Sequence, residues 1–285
     1  MELEQIVSNI LEQMKAVGDQ WIMPWHGTHK KPLNVSSGRG YTGINRIILW
    51  SQSTKHDYHS RFWGTFSQWR KIRQPVEKGQ KGTPAFRPII RRKKGKQALS
   101  GFYTYYLFNG DQVVNRNENH PDLFGDCVEL PPQVEDFITS TKADIRIGRK
   151  KAYYSPKGDF IKVPPVDSFF ATSASTKLQN YYSTVLHELT HWTGHPKRKN
   201  RVGQFETDRE NYAFEELVAE LGAAFLCSEF EIEDVPRPDH AQYLNSWIKI
   251  MDDDMAQLWR AASQAQHAVD YLMNTESIEP ESDNS

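Results

Sequence analysis

The segment His187-Glu188-Leu189-Thr190-His191 sets two imidazoles four residues apart around a carboxylate. On a helix, residues i and i+4 share one face about a turn apart. Both rings can therefore reach one divalent ion, zinc at about 2.0–2.1 Å per nitrogen. Glu188, beside the first histidine, is placed to act as general base on a water held at that ion. Val185, Leu186, Leu189 and Trp192 supply an apolar side for docking, and Gly194 and Pro196 end the helix. A helix with two surface histidines and an ordinary glutamate carries the same five letters; the helical context and the upstream hairpin favour a metal site.

Such a site needs a third protein ligand and one open position. The segment Glu215-Glu216-Leu217-Val218-Ala219-Glu220 is the best source. Phe214, Leu217, Val218, Leu221 and Phe225 form its apolar stripe, and Glu216 and Glu220 share a face beside it. Ala213, Ala219 and Ala223 let the helix come close. Glu216 is expected as the ligand, with Glu220 orienting His191 or His187 from behind. Glu215 turns away and is expected as a solvated charge. His195 is the rival ligand, four residues beyond His191, although Gly194 should end the helix first. The metal is expected to be zinc, with another divalent ion such as manganese as the alternative.

The elements that position these residues can be read coarsely. Helices are expected at about 174–193, 207–228 and 239–273, after a helix near Gln133 to Thr141 and strands at Asp144 to Ile147 and Ala152 to Val163, the latter turned at Pro156 to Asp159. Tyr153, Tyr154 or Ile161 could sit on a strand edge that pairs with an extended substrate, or simply pack in a sheet. In the first half, Leu3 to Val17, Gly43 to Ser53 and Phe66 to Gln74 read as helices. Ala85 to Arg91 and Phe102 to Phe108 read as strands joined by a basic loop. Residues 111–133 are the candidate linker. The resulting organisation is a first domain over 1–125, a second over 126–273 and a disordered acidic tail over 274–285.

Charge divides the 285 residues sharply. Residues 1–125 hold 19 Lys and Arg against 9 Asp and Glu, net +10; the remainder holds 16 against 27, net -11. A basic half points to a polyanion. It also carries 16 of the 34 aromatic residues, and aromatics interleaved with cations suit unpaired strands, whose bases stack and whose phosphates need counter-charge. Tyr41, Trp63 and Trp69 are the stacking candidates, with core packing the alternative for each. Arg70, Lys71, Arg73, Lys78 and Lys81 are the phosphate candidates. Asn45 and Gln68 could bond bases or backbone, or cap local structure. No helix-turn-helix, zinc-finger or RNP signature is present, so sequence-specific duplex reading is not expected.

Composition narrows the rest. The longest apolar runs, such as Ile44 to Trp50, are too short to span a bilayer, so no membrane partner is expected. Met1 leads into Glu2 and Glu4, without the pattern of a signal peptide. Two cysteines, Cys127 and Cys227, make no disulfide framework and fit a reducing cytoplasm.

The two halves together resemble ArdC-type antirestriction proteins of conjugative plasmids and phages. In the first half the matching stretches are Pro32-Leu33-Asn34, Tyr41-Thr42-Gly43-Ile44-Asn45, Trp63 to Trp69, Val76 to Gly82 and Tyr106-Leu107-Phe108-Asn109. They resemble a single-stranded-DNA-binding domain shared with TraC-type conjugal primases. In the second half the matches are Ala152 to Pro156, His187 to His195 and Glu215 to Glu220. They resemble the family's zincin-like metallopeptidase domain. Gln80 departs from the acidic residue common there, and the stretch from Arg91 to Lys96 looks locally variable. The resemblance implies two α+β domains, one small, basic and single-strand-binding, one with an HExxH helix and peptidase-type metal site. It implies an antirestriction protein that escorts incoming DNA, with a peptide substrate as a further partner. A metallopeptidase that DNA merely localises, and a pure DNA-binding module with a vestigial metal site, are the alternatives.

Overall fold

The computed structural model describes residues 7–12, 15, 30–93, 96–114, 133–148, 151–172, 175–201, 209–232 and 240–274. Trp21, Trp25, most of the expected linker and the tail beyond Asn274 lie outside them. The fold is mixed α and β, in two compact units that divide near Leu130; the helical residues 7–12 group with the second. No described helix is long and apolar enough to cross a membrane.

The first unit is a four-stranded sheet ordered β1-β2-β4-β3: β1 (Leu33–Asn34), β2 (Phe62–Gly64), β3 (Thr83–Lys93) and β4 (Lys96–Asn109). β1 runs parallel to β2, and the other pairs are antiparallel, with Thr83 opposite Leu107 and Arg87 opposite Tyr103. The β3–β4 hairpin is longer than the sequence implied: the stretch expected as a basic loop continues both strands, with a register shift at Ile89 and Ile90. The backbone of this charged stretch still pairs across the hairpin, Arg91 with Ala98 and Arg92 with Gln97, so the run of cations extends the ladder and does not end it.

Two described helices lie in this unit, α1 (Ile44–His56) and α2 (Phe66–Lys71). A capping box of Thr65 and Gln68 starts α2. It stops at Lys71, short of the expected Gln74, because Arg73 is left-handed at φ 63 and the Gln74 N–H turns back to the Trp69 carbonyl at 3.0 Å. Leu49, Trp63, Ala85 and Leu107 form one core cluster; Val35, Trp69 and Val113 form another.

The second unit contains α3 (Val134–Ser140) and a small sheet ordered β5-β7-β6, from β5 (Asp144–Ile147), β6 (Tyr153–Ser155) and β7 (Phe160–Val163). β7 is central, so Ile161 is fully buried and is no edge residue; β6 forms an edge. Four described helices follow: α4 (Lys177–Thr193), α5 (Arg209–Glu229), α6 (His240–Asp253) and α7 (Ala256–Met273). The single helix expected over 239–273 is thus two. Asp254 breaks it: its carboxylate accepts from the Ala256 N–H at 3.0 Å and from Arg260 at 2.8 Å, which begins a new helix.

α4, α5 and α7 share the core through Leu186, Leu189, Leu217, Leu221, Phe225, Ala262 and Ala265. Gly222 sets how closely α4 and α5 approach. A Cβ there would lie 2.4 Å from the Thr190 methyl, inside any real contact. The alanines flagged in the sequence are buried, and this glycine is where the α5 backbone meets the Thr190 side chain.

Candidate metal centre and nucleic-acid face

α4 begins with a capping box of Thr176 and Gln179 and ends at Gly194. Its last two turns carry His187, Glu188 and His191 inward, and His187 and Glu188 are each 2% exposed. α5 crosses it and brings Glu216 to the same point. The His187 Nε2 lies 3.6 Å from one Glu216 oxygen, and the His191 Nε2 lies 3.4 Å from the other. Donor atoms of His187, His191 and Glu216 all fall within 4.8 Å of one another, the three-donor cluster found among the described residues. Two imidazole nitrogens and a carboxylate, converging with His187 and Glu216 buried and His191 12% exposed, suit a zinc-type divalent ion in chemistry and number.

Each imidazole has a second carboxylate behind it. Glu220 faces the His187 Nδ1 at 3.5 Å, and Glu215 faces the His191 Nδ1 at 3.3 Å. A carboxylate in this position sets which ring nitrogen keeps its proton and which is left to bind. Of the two imidazoles the sequence left open for Glu220, the one it faces is that of His187. Glu215 corrects the expectation of a solvated charge: it is buried and held in a two-pronged pair by Arg201, both contacts at 3.1 Å. Arg201 also donates to the Thr193 hydroxyl at 2.9 Å and the Thr190 carbonyl at 2.7 Å, tying the pair to the end of α4. Periodicity could not find this. Arg201 sits in a turn beyond the helix, and only the fold brings it back.

The charges respond to one another. Burial pushes the Glu215 carboxyl up, but the His191 hydrogen bond and Arg201 charge outweigh it and hold the group below the usual carboxylate range. Glu216 is held low in the same way, by both imidazoles against burial. Burial opposes charge on His191 too, yet Glu216 and Glu215 together raise it to about 10. Tyr212, one turn before Glu216, is half-exposed; partial burial and the Glu216 charge push its phenol above its ordinary value.

His195 belongs to another group. α4 ends before it, and its Nδ1 accepts from the Lys197 N–H at 3.2 Å and lies 3.9 Å from Asp159. Asp159 in turn pairs with Arg198 and accepts from the Tyr154 hydroxyl at 2.9 Å. Arg198 lies over the Trp192 ring at 3.8 Å. This cluster locks the β6–β7 turn to the end of α4. Tyr153, on the β6 edge, stays 43% exposed.

In the first unit the expected nucleic-acid residues separate into two sets. Trp63 and Trp69 are 1% and 0% exposed and fill the two core clusters, so neither ring offers a face for stacking. The Trp69 Nε1 donates to the Phe108 carbonyl at 2.9 Å. Tyr41 is half-buried; its hydroxyl accepts from Asn34 at 2.9 Å, and burial pushes the phenol well above its ordinary value. Asn45 is engaged by backbone: its Nδ2 donates to the Phe86 carbonyl and its Oδ1 accepts from the Phe86 N–H, both at 2.8 Å. These bonds pin the outer edge of β3. Gln68 completes the α2 capping box, accepting from the Thr65 N–H at 2.8 Å. By contrast Arg70, Lys71, Arg73, Lys78 and Lys81 are all exposed, as phosphate contact requires.

Comparison with known proteins gives the two halves separate matches. Residues 2–119 match the N-terminal domain of anti-restriction factor ArdC, and residues 132–264 match the zincin-like metallopeptidase family. The Mn(II)-bound crystal structure of the antirestriction protein ArdC from plasmid R388 is 32% identical, with a TM-score of 0.77, covering 96% of this chain and 97% of that one. Its metal-free form aligns at 0.76. The protein y4eC of Sinorhizobium fredii is 28% identical over 94% of this chain and 90% of its own length. A DNA primase TraC of Escherichia coli is 32% identical over 95% of this chain, which spans only 27% of that primase. Likeness that runs through both halves, in a solved protein of nearly the same extent, places this chain in the ArdC antirestriction family, its second half being a zincin-like metallopeptidase domain.

Proposed function

We propose that this protein is an antirestriction factor that binds single-stranded DNA through its basic unit, protects incoming DNA from host restriction, and carries a zinc-dependent peptidase centre in its second unit. The observation that carries the second part is the convergence of His187, His191 and Glu216, with buried Glu188 one residue from the first of them. We assign the first three as metal ligands and Glu188 as the catalytic base. Glu220 and Glu215 are positioning residues for the two imidazoles. The Mn(II) recorded in the R388 relative keeps manganese beside zinc as the occupant.

A divalent ion held by these donors supplies Lewis acidity for attack on a peptide carbonyl. The protein's own part is proton handling and orientation. Glu188 takes the proton of the attacking water and delivers it to the leaving amine. Glu220 and Glu215 keep the Nδ1 protons in place so that both Nε2 lone pairs face the ion. β6 lies at the edge of its sheet with Tyr153 exposed, the place where an extended peptide adds as a further strand. The basic unit brings the centre to DNA in the cytoplasm by charge, which the exposed cations from Arg70 to Lys81 provide.

The test is transfer of unmodified DNA into a restricting recipient, with wild type, E188A, and a form in which Arg70, Lys71, Lys78 and Lys81 are glutamine. The proposal expects protection by wild type and its loss in both variants. Protection that survives E188A but not charge removal would leave a DNA-binding module alone. Protection lost only in E188A would make the protein chiefly a peptidase acting on a host protein.

A further inference from the structure

We infer that the rings of Phe66, Phe108 and Tyr106 form a row on which bases of a single strand stack, edged by the cations Arg70 and Lys81. This rests on the single-strand reading above; it keeps two of the cations the sequence indicated and assigns the stacking to other rings.

The two tryptophans first considered are interior. The rings that the first unit does expose include Phe66 at 52% and Tyr106 at 48%. Side chains alternate along β4. Leu107 points into the core with Ala85, so Tyr106 and Phe108 point to the opposite face. There Phe108 lies half-buried against the Trp69 cluster, and Phe66 of α2 meets it edge-on, with ring centres 6.3 Å apart. Gly82 stands across from Phe108. A Cβ on it would come within 2.9 Å of the Tyr106 Cβ and 3.1 Å of the Phe108 ring, so the glycine leaves the space these two residues occupy. The result is a run of rings from α2 across the end of β4.

Cations bracket the run. Arg70 is one turn beyond Phe66 on α2 and shares its side. Lys81 immediately precedes Gly82, in a turn held by Gln112, whose Nε2 donates to the Lys81 carbonyl at 2.9 Å and to Gln80 at 3.2 Å. Arg70 and Lys81 are exposed, and Glu77 is the exposed acid in the same stretch. Clustered exposed rings mark an interaction site on a soluble protein. Rings alternating with cations match bases alternating with phosphates. A duplex keeps its base faces stacked inside, so the occupant is a single strand.

Fluorescence anisotropy of the full chain tests this with labelled oligothymidylate and an abasic strand of the same length and charge. Wild type is expected to bind the thymidylate at least tenfold tighter than the abasic strand. F66A/Y106A is expected to bind both alike, losing tenfold or more on thymidylate with the salt slope unchanged. F66Y/Y106F keeps the rings and should keep the preference. R70Q/K81Q should instead flatten the salt slope, by about 0.7 for each phosphate no longer neutralised. Both rings are surface residues, so F66A/Y106A should melt with the wild type. A base preference retained by folded F66A/Y106A would overturn the inference, as would a wild type indifferent to bases. A wild type that binds neither strand at low salt would instead overturn the single-strand reading beneath it.

Discussion

Arg201→Met removes the guanidinium that pairs with Glu215 while keeping an unbranched side chain of similar length. The two side chains are 7% and 4% exposed, and the pair is two-pronged. Deleting one member of such a pair leaves a buried charge uncompensated and costs about 3–5 kcal/mol. His191 still faces Glu215 at 3.3 Å, so the cost should fall near the lower end, at ~3 kcal/mol. The Thr190 carbonyl and Thr193 hydroxyl also lose a donor, which keeps it from falling further.

The assay is urea unfolding in chelator, followed by the helical circular dichroism signal that the second unit dominates. With a urea slope of ~3 kcal/mol per molar, the midpoint should drop by ~1 M. Replacing both partners, as R201M/E215L, removes the charge together with its counter-charge and should recover most of the loss. The cycle with E215L alone should then show a coupling of at least ~2 kcal/mol. On adding metal, R201M should bind it 10- to 100-fold more weakly, because the imidazole of His191 is no longer steadied through Glu215. A midpoint shift under ~0.2 M, or single and double variants whose effects simply add, would refute the reasoning: Glu215 would then not depend on Arg201.

Other outcomes follow from the same geometry. Glu188→Gln should leave metal affinity within a few fold and lower peptide hydrolysis by roughly 10²–10⁴, measured by dialysis against metal and by turnover of a peptide library. Gly222→Val should cost at least ~1–3 kcal/mol in urea unfolding, since its first added carbon already meets Thr190 at 2.4 Å. In metal-free protein His191 is raised to about 10, against an ordinary value near 6.5. Its contribution is therefore fully present below pH ~6.5 and lost as pH rises through about 10. Glu215, held low, contributes above pH ~4.3 and loses that contribution as pH falls through its lowered value. Metal must displace the His191 proton, so affinity should climb by up to about tenfold per pH unit between 7 and 9. Titration calorimetry in buffers of different ionisation enthalpy should count a released proton there.

Much of the architecture was legible because helices advertise their faces. The α4 pattern, its stop at Gly194 and the i, i+4 carboxylates of α5 follow from a 3.6-residue period. Long-range features did not. The break at Asp254 depends on one side chain capping the next turn, which a continuous helical period conceals. The hairpin of β3 and β4 outran its expected ends because a run of arginine and lysine looks like a loop, although charged residues line an exposed ladder equally well. Trp63 and Trp69 failed as stacking candidates for a general reason. A large ring is the best core filler and the best base platform at once, and only neighbours decide which. The useful sign lay in Phe102-Tyr103-Thr104-Tyr105-Tyr106-Leu107-Phe108, where strand alternation must send some rings outward.

The candidate metal centre shows the same division within a few residues. The pairs His187 with His191 and Glu216 with Glu220 were legible because each is an i, i+4 pair on one helix, and α4 ends before His195 as Gly194 indicated. Glu215 was not legible in this way. On a bare helix it points away from Glu216, and the natural inference is solvent. The residue is interior because α5 is covered on that side by the turn after α4, where Arg201 supplies the compensating charge. A buried acid is tolerable only where its partner is also buried, and that partner lies outside any periodic element. E215Q should therefore lower both metal affinity and metal-free stability, because the carboxylate it removes meets Arg201 twice at 3.1 Å and His191 at 3.3 Å. Metal-free stability equal to wild type, read by urea unfolding in chelator, would mean that the buried pair adds nothing to the fold.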